Sequence, residues 1–323
     1  MARPGMDRRA FGLAGLALAV AASPAGANIA SGTGSRLIRA DELPYEPPAT
    51  LALIADLYSR MTAPLKVQGQ GPFHFVVDTG ANQSVISAEL ASRLGLPLGP
   101  PALLNGVAGS KETPTTIATL TIGPRLRRDV RLFVLPEAAI GAAGMIGLDG
   151  LEGQRLILDF QEKAMRIEAP THQLGGGVSV RSRRRDGQLT LVDADIAGIP
   201  VTAFIDSGAQ NTIGNRALQA LARARRPTEL WRNESIVSVT GQTIDAEMAD
   251  LPRLRLGGMS LPVWPVAFAD LHTFQMWKLI DAPAMLVGVD VLSRFERVSL
   301  DFAHDEVRFT PPDVDRVVYR ASG

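Results

Sequence analysis

The chain of 323 residues contains no cysteine. That absence removes three classes at once: a disulfide framework, a thiolate metal site and a cysteine nucleophile. Histidine is scarce as well. The four present, His74, His172, His272 and His304, are scattered without the spacing of metal ligands. Nor is there an excess of charge of either sign, since 33 basic and 33 acidic side chains cancel at pH 7. No basic block is long enough to call for nucleic acid, and the one cluster, residues 181–185, reads as a solvated linker. The chain's N-terminal apolar run, residues 12–22, falls short of the ~20 residues that a membrane-spanning helix needs.

What is present has ordinary globular composition, 46% hydrophobic and 20% charged, enough for one large or two modest cores. The first residues stand apart. Asp7-Arg8-Arg9-Ala10-Phe11 precedes the apolar, small-residue run, and Ala25-Gly26-Ala27 offers a small-x-small cleavage site. This order predicts an export signal over residues 1–27, and the paired arginines resemble a twin-arginine signal, which would work equally well from Met6. The expected location is the periplasm or the medium, with cleavage near Ala27 and no membrane anchor afterwards. Residues 28–60 read as a mobile N-terminal segment, or as a cleaved prosegment, with a helical-looking piece over residues 51–57.

The rest is organised around one stretch that occurs twice: Phe75-Val76-Val77-Asp78-Thr79-Gly80-Ala81 and Phe204-Ile205-Asp206-Ser207-Gly208-Ala209. Each is an apolar, strand-like run that stops at an acid, a hydroxyl residue, a glycine and an alanine. Such a run holds a carboxylate rigidly at the edge of a core. The register of the repeat checks on both sides. Pro72 and Pro200 lie six residues before each acid, and Ser84 and Thr212 lie six after. Downstream, Ile146-Gly147-Leu148-Asp149 matches Val287-Gly288-Val289-Asp290, and Leu158-Asp159-Phe160 matches Leu300-Asp301-Phe302.

A tandem repeat aligned at both ends predicts two homologous lobes, residues 61–170 and 189–310, joined by a linker at 171–188 and followed by a tail at 311–323. Hairpin signals at short intervals and few long amphipathic stretches predict an all-β fold, each lobe a partly open barrel. Ser87 and Asn215 are placed to cap short helices. Phe268, Leu271, Phe274, Met276 and Trp277 form an apolar insertion in the second lobe, which reads as core rather than as cleft lining.

The pair Asp78-Thr79-Gly80-Ala81 and Asp206-Ser207-Gly208-Ala209, with the apolar-Gly elements Ile146-Gly147 and Val287-Gly288, resembles the aspartic peptidases, most closely their retropepsin-like branch. The resemblance covers nearly all of residues 60–310. In retropepsins one such lobe dimerises, whereas pepsin-like enzymes fuse two lobes in one chain; this chain has the fused arrangement and so implies a monomer. The resemblance further implies a cleft between the lobes with Asp78 and Asp206 as the catalytic pair. The Thr79 and Ser207 hydroxyls would bond across to the opposite loop. Gly80 and Gly208 would let backbone approach the carboxylates.

It also places flaps at 105–111 and 238–243, with Gly106, Gly109 and Gly241 at their tips. The first lacks the Tyr that pepsin-like enzymes carry there, so flap chemistry does not transfer from that branch.

Two close carboxylates cannot both ionise cheaply, so the pair holds one proton and can activate a water without metal, cofactor or covalent intermediate. The implied function is endopeptidase action on extended segments of peptides or proteins. A binding or envelope-assembly protein using the same cleft, and self-processing of the N-terminal segment, are the alternatives. Alanine after each motif, where pepsins carry a hydroxyl, removes a group that would stabilise the ionised carboxylates, which predicts an optimum less acidic than pepsin's.

Overall fold

Strands begin where apolar alternation begins. The computed structural model describes residues 61–151, 154–170, 177–185, 188–191, 193–238 and 242–312, together with the short strands Ala17–Leu18, Ala49–Ala52 and Ile54–Ala55. Met61–Val67 and Gln70–Val77 form an antiparallel hairpin whose turn residues Gln68 and Gly69 take φ of 51° and 73°. The second strand sinks into the core as it proceeds, so that Phe75, Val76 and Val77 are fully buried when Asp78 is reached.

From that point both lobes follow one plan. Gln70–Val77 runs parallel to Gly144–Ile146, which is antiparallel to Val85–Ser87, which is parallel to Arg125–Leu135. In the second lobe Thr202–Ile205 runs parallel to Ala284–Val287, antiparallel in turn to Ile213–Gly214, which is parallel to Met259–Phe268. Long hairpins complete each lobe, Gly109–Ile122 with Arg125–Leu135 and Thr243–Leu256 with Met259–Phe268. The fold is all-β with two homologous lobes. The helices are short and capped as expected: Ser87 accepts from the Leu90 N–H ahead of Ala88–Arg93, and Asn215 from the Leu218 N–H ahead of Arg216–Arg225.

A shared antiparallel sheet joins the lobes in the order Ala49–Ala52, Ala164–Glu168, Arg155–Asp159, Arg297–Asp301, Glu306–Thr310, Val178–Arg185. Ile157 faces Ser299, and Leu156 and Leu158 face Leu300 and Val298. The repeat therefore closes on itself about an axis passing between Ile157 and Ser299. Asp159 is fully buried here and accepts from Arg166 of its own lobe at 3.2 Å and from Arg297 of the other at 2.7 Å.

Two expectations change at this sheet. Where it is described, the piece at 51–57 is strand and not helix: Ala49–Ala52 and Ile54–Ala55 are strands, the first covering an edge of Ala164–Glu168 that would otherwise present unpaired backbone groups. Within the expected linker, Val178–Arg185 is a strand and not a solvated connection, paired with Glu306–Thr310 and with Gln188–Leu191. The export signal lies outside the described residues except for Ala17–Leu18, which pairs antiparallel with Asn105 and Gly106. In the second-lobe insertion Phe268, Leu271, Phe274 and Trp277 are core, with Trp277 stacked on Phe204 at 3.8 Å between ring centres, and Met276 is half-buried.

Candidate active site

Each Asp strand is held by the apolar-Gly strand beside it. The Asp78 N–H donates to the Ile146 carbonyl and the Asp206 N–H to the Val287 carbonyl, both at 3.0 Å. Immediately afterwards each chain turns, and one oxygen of the carboxylate organises the turn. Asp78 Oδ1 accepts from the N–H groups of Gly80 and Ala81 at 2.8 and 3.1 Å; Asp206 Oδ1 accepts from Gly208 and Ala209 at 2.9 and 3.1 Å. Both acids are fully buried.

The two loops meet face to face through four reciprocal hydrogen bonds. Thr79 Oγ1 donates to the Ile205 carbonyl at 2.9 Å and accepts from the Ser207 N–H at 3.0 Å. Ser207 Oγ donates to the Val77 carbonyl at 2.8 Å and accepts from the Thr79 N–H at 3.1 Å. Each hydroxyl is thus donor and acceptor to the opposite loop, which only a side chain with both capacities can do. These bonds bring Asp78 and Asp206 together across 128 residues of sequence. Burial first, then the neighbouring Asp78 charge, push the Asp206 carboxyl well above the ordinary aspartate range.

Glycines 147 and 288 lie where the loops press on the apolar-Gly strands. A Cβ on Gly147 would sit 2.8 Å from the Ala81 carbonyl oxygen, and one on Gly288 would sit 2.7 Å from Asn211 backbone. Both obstacles are main chain and cannot rotate away. This close approach lets Leu148 N–H reach the Ala81 carbonyl and Val289 N–H the Ala209 carbonyl, each at 2.8 Å.

A second layer of acids and hydroxyls braces the first, and it was not singled out as functional from sequence. Ser84 donates from its N–H and Oγ to the two oxygens of Asp149 at 3.0 and 2.7 Å, and its Oγ accepts from Gly147 N–H at 3.0 Å. Thr212 repeats this with Asp290 at 3.1 and 2.9 Å, and with Gly288 N–H at 3.2 Å. Trp264 Nε1 adds a third donor to Asp290 at 2.9 Å. Burial raises both acids above the ordinary range, opposed by these hydrogen bonds. The signal was in the sequence: Ser84 and Thr212 fall at the same offset after each motif, and Asp149 and Asp290 after each later glycine.

Of the flap candidates, Gly106 and Gly109 flank the turn of the hairpin Gly99–Gly106 with Gly109–Ile122, and Gly109 takes φ of 131°. Gly241 lies outside the described residues. Chemically, the site is a buried pair of carboxyl groups held rigidly by backbone, able to share a single proton and to polarise a water between them.

Each lobe matches a known protein-family model. Residues 63–153 match the model of gag-polyprotein putative aspartyl proteases, and residues 192–291 match the model of aspartyl proteases. No curated protein matches the chain.

Proposed function

We propose that this chain, which belongs to the retropepsin-like aspartic peptidases and carries two lobes of that fold, is an endopeptidase that hydrolyses peptide bonds in extended segments. The observation that supports it most is the reciprocal locking of two buried Asp loops, with Asp206 held toward its protonated form by burial and by Asp78. A protein that only bound peptides would have no use for two buried carboxyl groups that repel each other when ionised.

In the proposed reaction Asp78 is the ionised partner and takes a proton from the water bound between the pair. The water oxygen adds to the scissile carbonyl carbon while Asp206 gives its proton to the carbonyl oxygen, forming a tetrahedral diol. Collapse of the diol breaks the C–N bond, with a proton passing to the leaving nitrogen and one remaining on the pair. The rigid backbone bonds to Oδ1 of each Asp keep the geometry fixed throughout, so that little reorganisation is needed as charge moves.

The test is cleavage of a diverse peptide library between pH 3 and 8 by the mature protein, beside Asp78→Asn and Asp206→Asn. Cutting by the wild type and loss in either variant supports the shared pair. A folded wild type that cuts nothing at any pH sinks the reading.

Export by the N-terminal 27 residues, delivering a monomer to the periplasm or medium, is the companion proposal; Arg8-Arg9, the small-residue run and Ala25-Gly26-Ala27 support it. N-terminal sequencing of protein recovered outside the cytoplasm checks it, a start at Asn28 being expected and an intact Met1 or Met6 start counting against it.

A further inference from the structure

The two lobes are not equivalent at one place, and the first flap ends there. Nine positions separate Leu135 from Gly144 in the first lobe, whereas sixteen separate Phe268 from Ala284 in the second. The additional chain forms the short helix His272–Met276 and the buried side chains around it. Its partner is not its own lobe alone. Val107, at the turn of the first lobe's flap, is fully buried, and the apolar cluster it belongs to is otherwise made of second-lobe residues, among them Phe204, Leu271, Phe274 and Trp277.

Two polar contacts fix the same meeting point. The His272 N–H donates to the Val107 carbonyl at 2.7 Å, and His272 Nε2 lies 3.2 Å from Ser110 Oγ on the other side of the flap turn. Ser110 is itself tied within the turn, donating to Asn105 Oδ1. A hairpin turn of a flap would ordinarily expose a valine to water, where it would contribute nothing. Here the valine is the flap's foot in a socket built by the insertion.

We infer that Val107 and the helix His272–Met276 form a latch that holds the first flap down across the two lobes, so that a substrate enters only when Val107 leaves its socket. The inference rests on the peptidase reading for its kinetic consequence but not for the latch itself. Phe204, which stacks on Trp277 in the socket, lies two residues before Asp206. The latch selects substrates that arrive as flexible, extended chain, since a folded segment cannot pass beneath a flap that opens only transiently. The corresponding connection of the first lobe is shorter and holds only the helix Glu137–Ile140.

Amide hydrogen exchange on the full chain reads the latch without turnover. In Val107→Ser the loss of the buried side chain should speed exchange across residues 104–111 and 272–276 by about tenfold or more. Exchange in Gln70–Val77 and Thr202–Ile205 should stay as in the wild type. The paired variant Ser110→Ala with His272→Ala leaves Val107 in its socket, removes the Ser110–His272 contact together with the Ser110 bond to Asn105, and should speed exchange in the same two segments by a few-fold. If Val107→Ser exchanges faster everywhere, the protein has lost its fold and the paired variant alone decides.

Unchanged exchange at the flap in a folded variant overturns the latch. In catalysis, peptide association should quicken and kcat should fall in Val107→Ser, because the flap opens more readily and closes less firmly; association no faster than in the wild type overturns entry control. Faster exchange in a protein that cuts no peptide at any pH would leave the latch standing and remove the peptidase reading.

Discussion

Asp206→Asn should abolish cleavage and at the same time stabilise the protein, by an amount that depends on pH in a stated direction. Asn keeps Oδ1, so the bonds from Gly208 and Ala209 at 2.9 and 3.1 Å survive. What changes is the other position, buried and toward Asp78, where an amide replaces an oxygen that burial and the Asp78 charge keep from ionising easily. A buried polar group left poorly compensated costs about 1–3 kcal/mol, and relieving it returns an amount on that scale. For a body of this size about 2 kcal/mol corresponds to a rise in Tm of about 4–8 °C. The sign with pH follows from the raised carboxyl. A group whose native pKa lies above the ordinary value of 3.8 contributes its full stability below that value and loses it as pH rises through the native pKa. The wild type is therefore penalised toward neutrality, and the variant is not. Thermal unfolding followed at pH 4 and pH 7.5 should show a gap that is small in acid and grows toward neutrality. A variant no more stable than the wild type at pH 7.5, or a gap that widens in acid, refutes the reasoning.

Thr79→Val removes one donor and one acceptor from the reciprocal set and strands the Ile205 carbonyl and the Ser207 N–H. It should cost about 2–4 kcal/mol by denaturant titration, and combining it with Ser207→Ala should cost less than the sum of the two changes. Gly288→Ala drives a Cβ to 2.7 Å from Asn211 backbone and should lower stability by about 1–3 kcal/mol; a Tm equal to that of the wild type would show that the loop yields freely. The pH–rate profile of the wild type should peak above about pH 3.5, since Asp206 stays protonated above the usual range and Ala81 and Ala209 offer no hydroxyl to the ionised pair.

Much of the site was legible because its parts are local and duplicated. A carboxylate that accepts from the second and third N–H groups after it needs a short, small-residue turn directly behind it, and that need is written as Asp-Thr-Gly-Ala and Asp-Ser-Gly-Ala. The cross-loop role of the hydroxyls at the second place was legible only through the resemblance to the aspartic peptidases, since a hydroxyl beside an acid by itself names no partner 128 residues away. The brace of Ser84 with Asp149 and Thr212 with Asp290 was equally periodic, yet it spans 65 and 78 residues, and nothing local says that those side chains meet.

The central sheet was hidden for a different reason. Ala-Thr-Leu-Ala at Ala49–Ala52 and the arginine-rich Val178–Arg185 carry weak strand signals, and both take their conformation from an edge supplied elsewhere in the chain. Arg181 to Arg185 could pass for a solvated linker because alternate side chains of this strand face water; Arg181 and Arg183 are exposed while Ser182 between them is buried. Composition reports the exposed half of such a strand and conceals the buried half.

The insertion shows where a repeat stops being informative. The two lobes agree around the shared pair, in the acids, their hydroxyl neighbours, the glycines under the loops and the braces, and again in the sheet that joins them, at Leu158-Asp159-Phe160 and Leu300-Asp301-Phe302. The insertion between Phe268 and Ala284 is free of that constraint and has taken on a contact to Val107 of the first lobe. A residue such as Val107 then looks like an ordinary hairpin valine in sequence, since its partner exists in one lobe only and no internal comparison reveals it. The asymmetry predicts that changes at the socket will spare the geometry of the Asp pair. Leu271→Ala, which enlarges the socket without touching either Asp loop, should loosen the flap and lower overall stability by about 2–5 kcal/mol, the usual cost of such a truncation. The Asp206→Asn stabilisation measured in that background should remain as large as in the wild type, because the two sites do not share a hydrogen-bonding partner. A stabilisation that vanishes there would mean that the socket helps set the charge of the pair, and that the two lobes are coupled through Trp277 and Phe204 rather than through the loops alone.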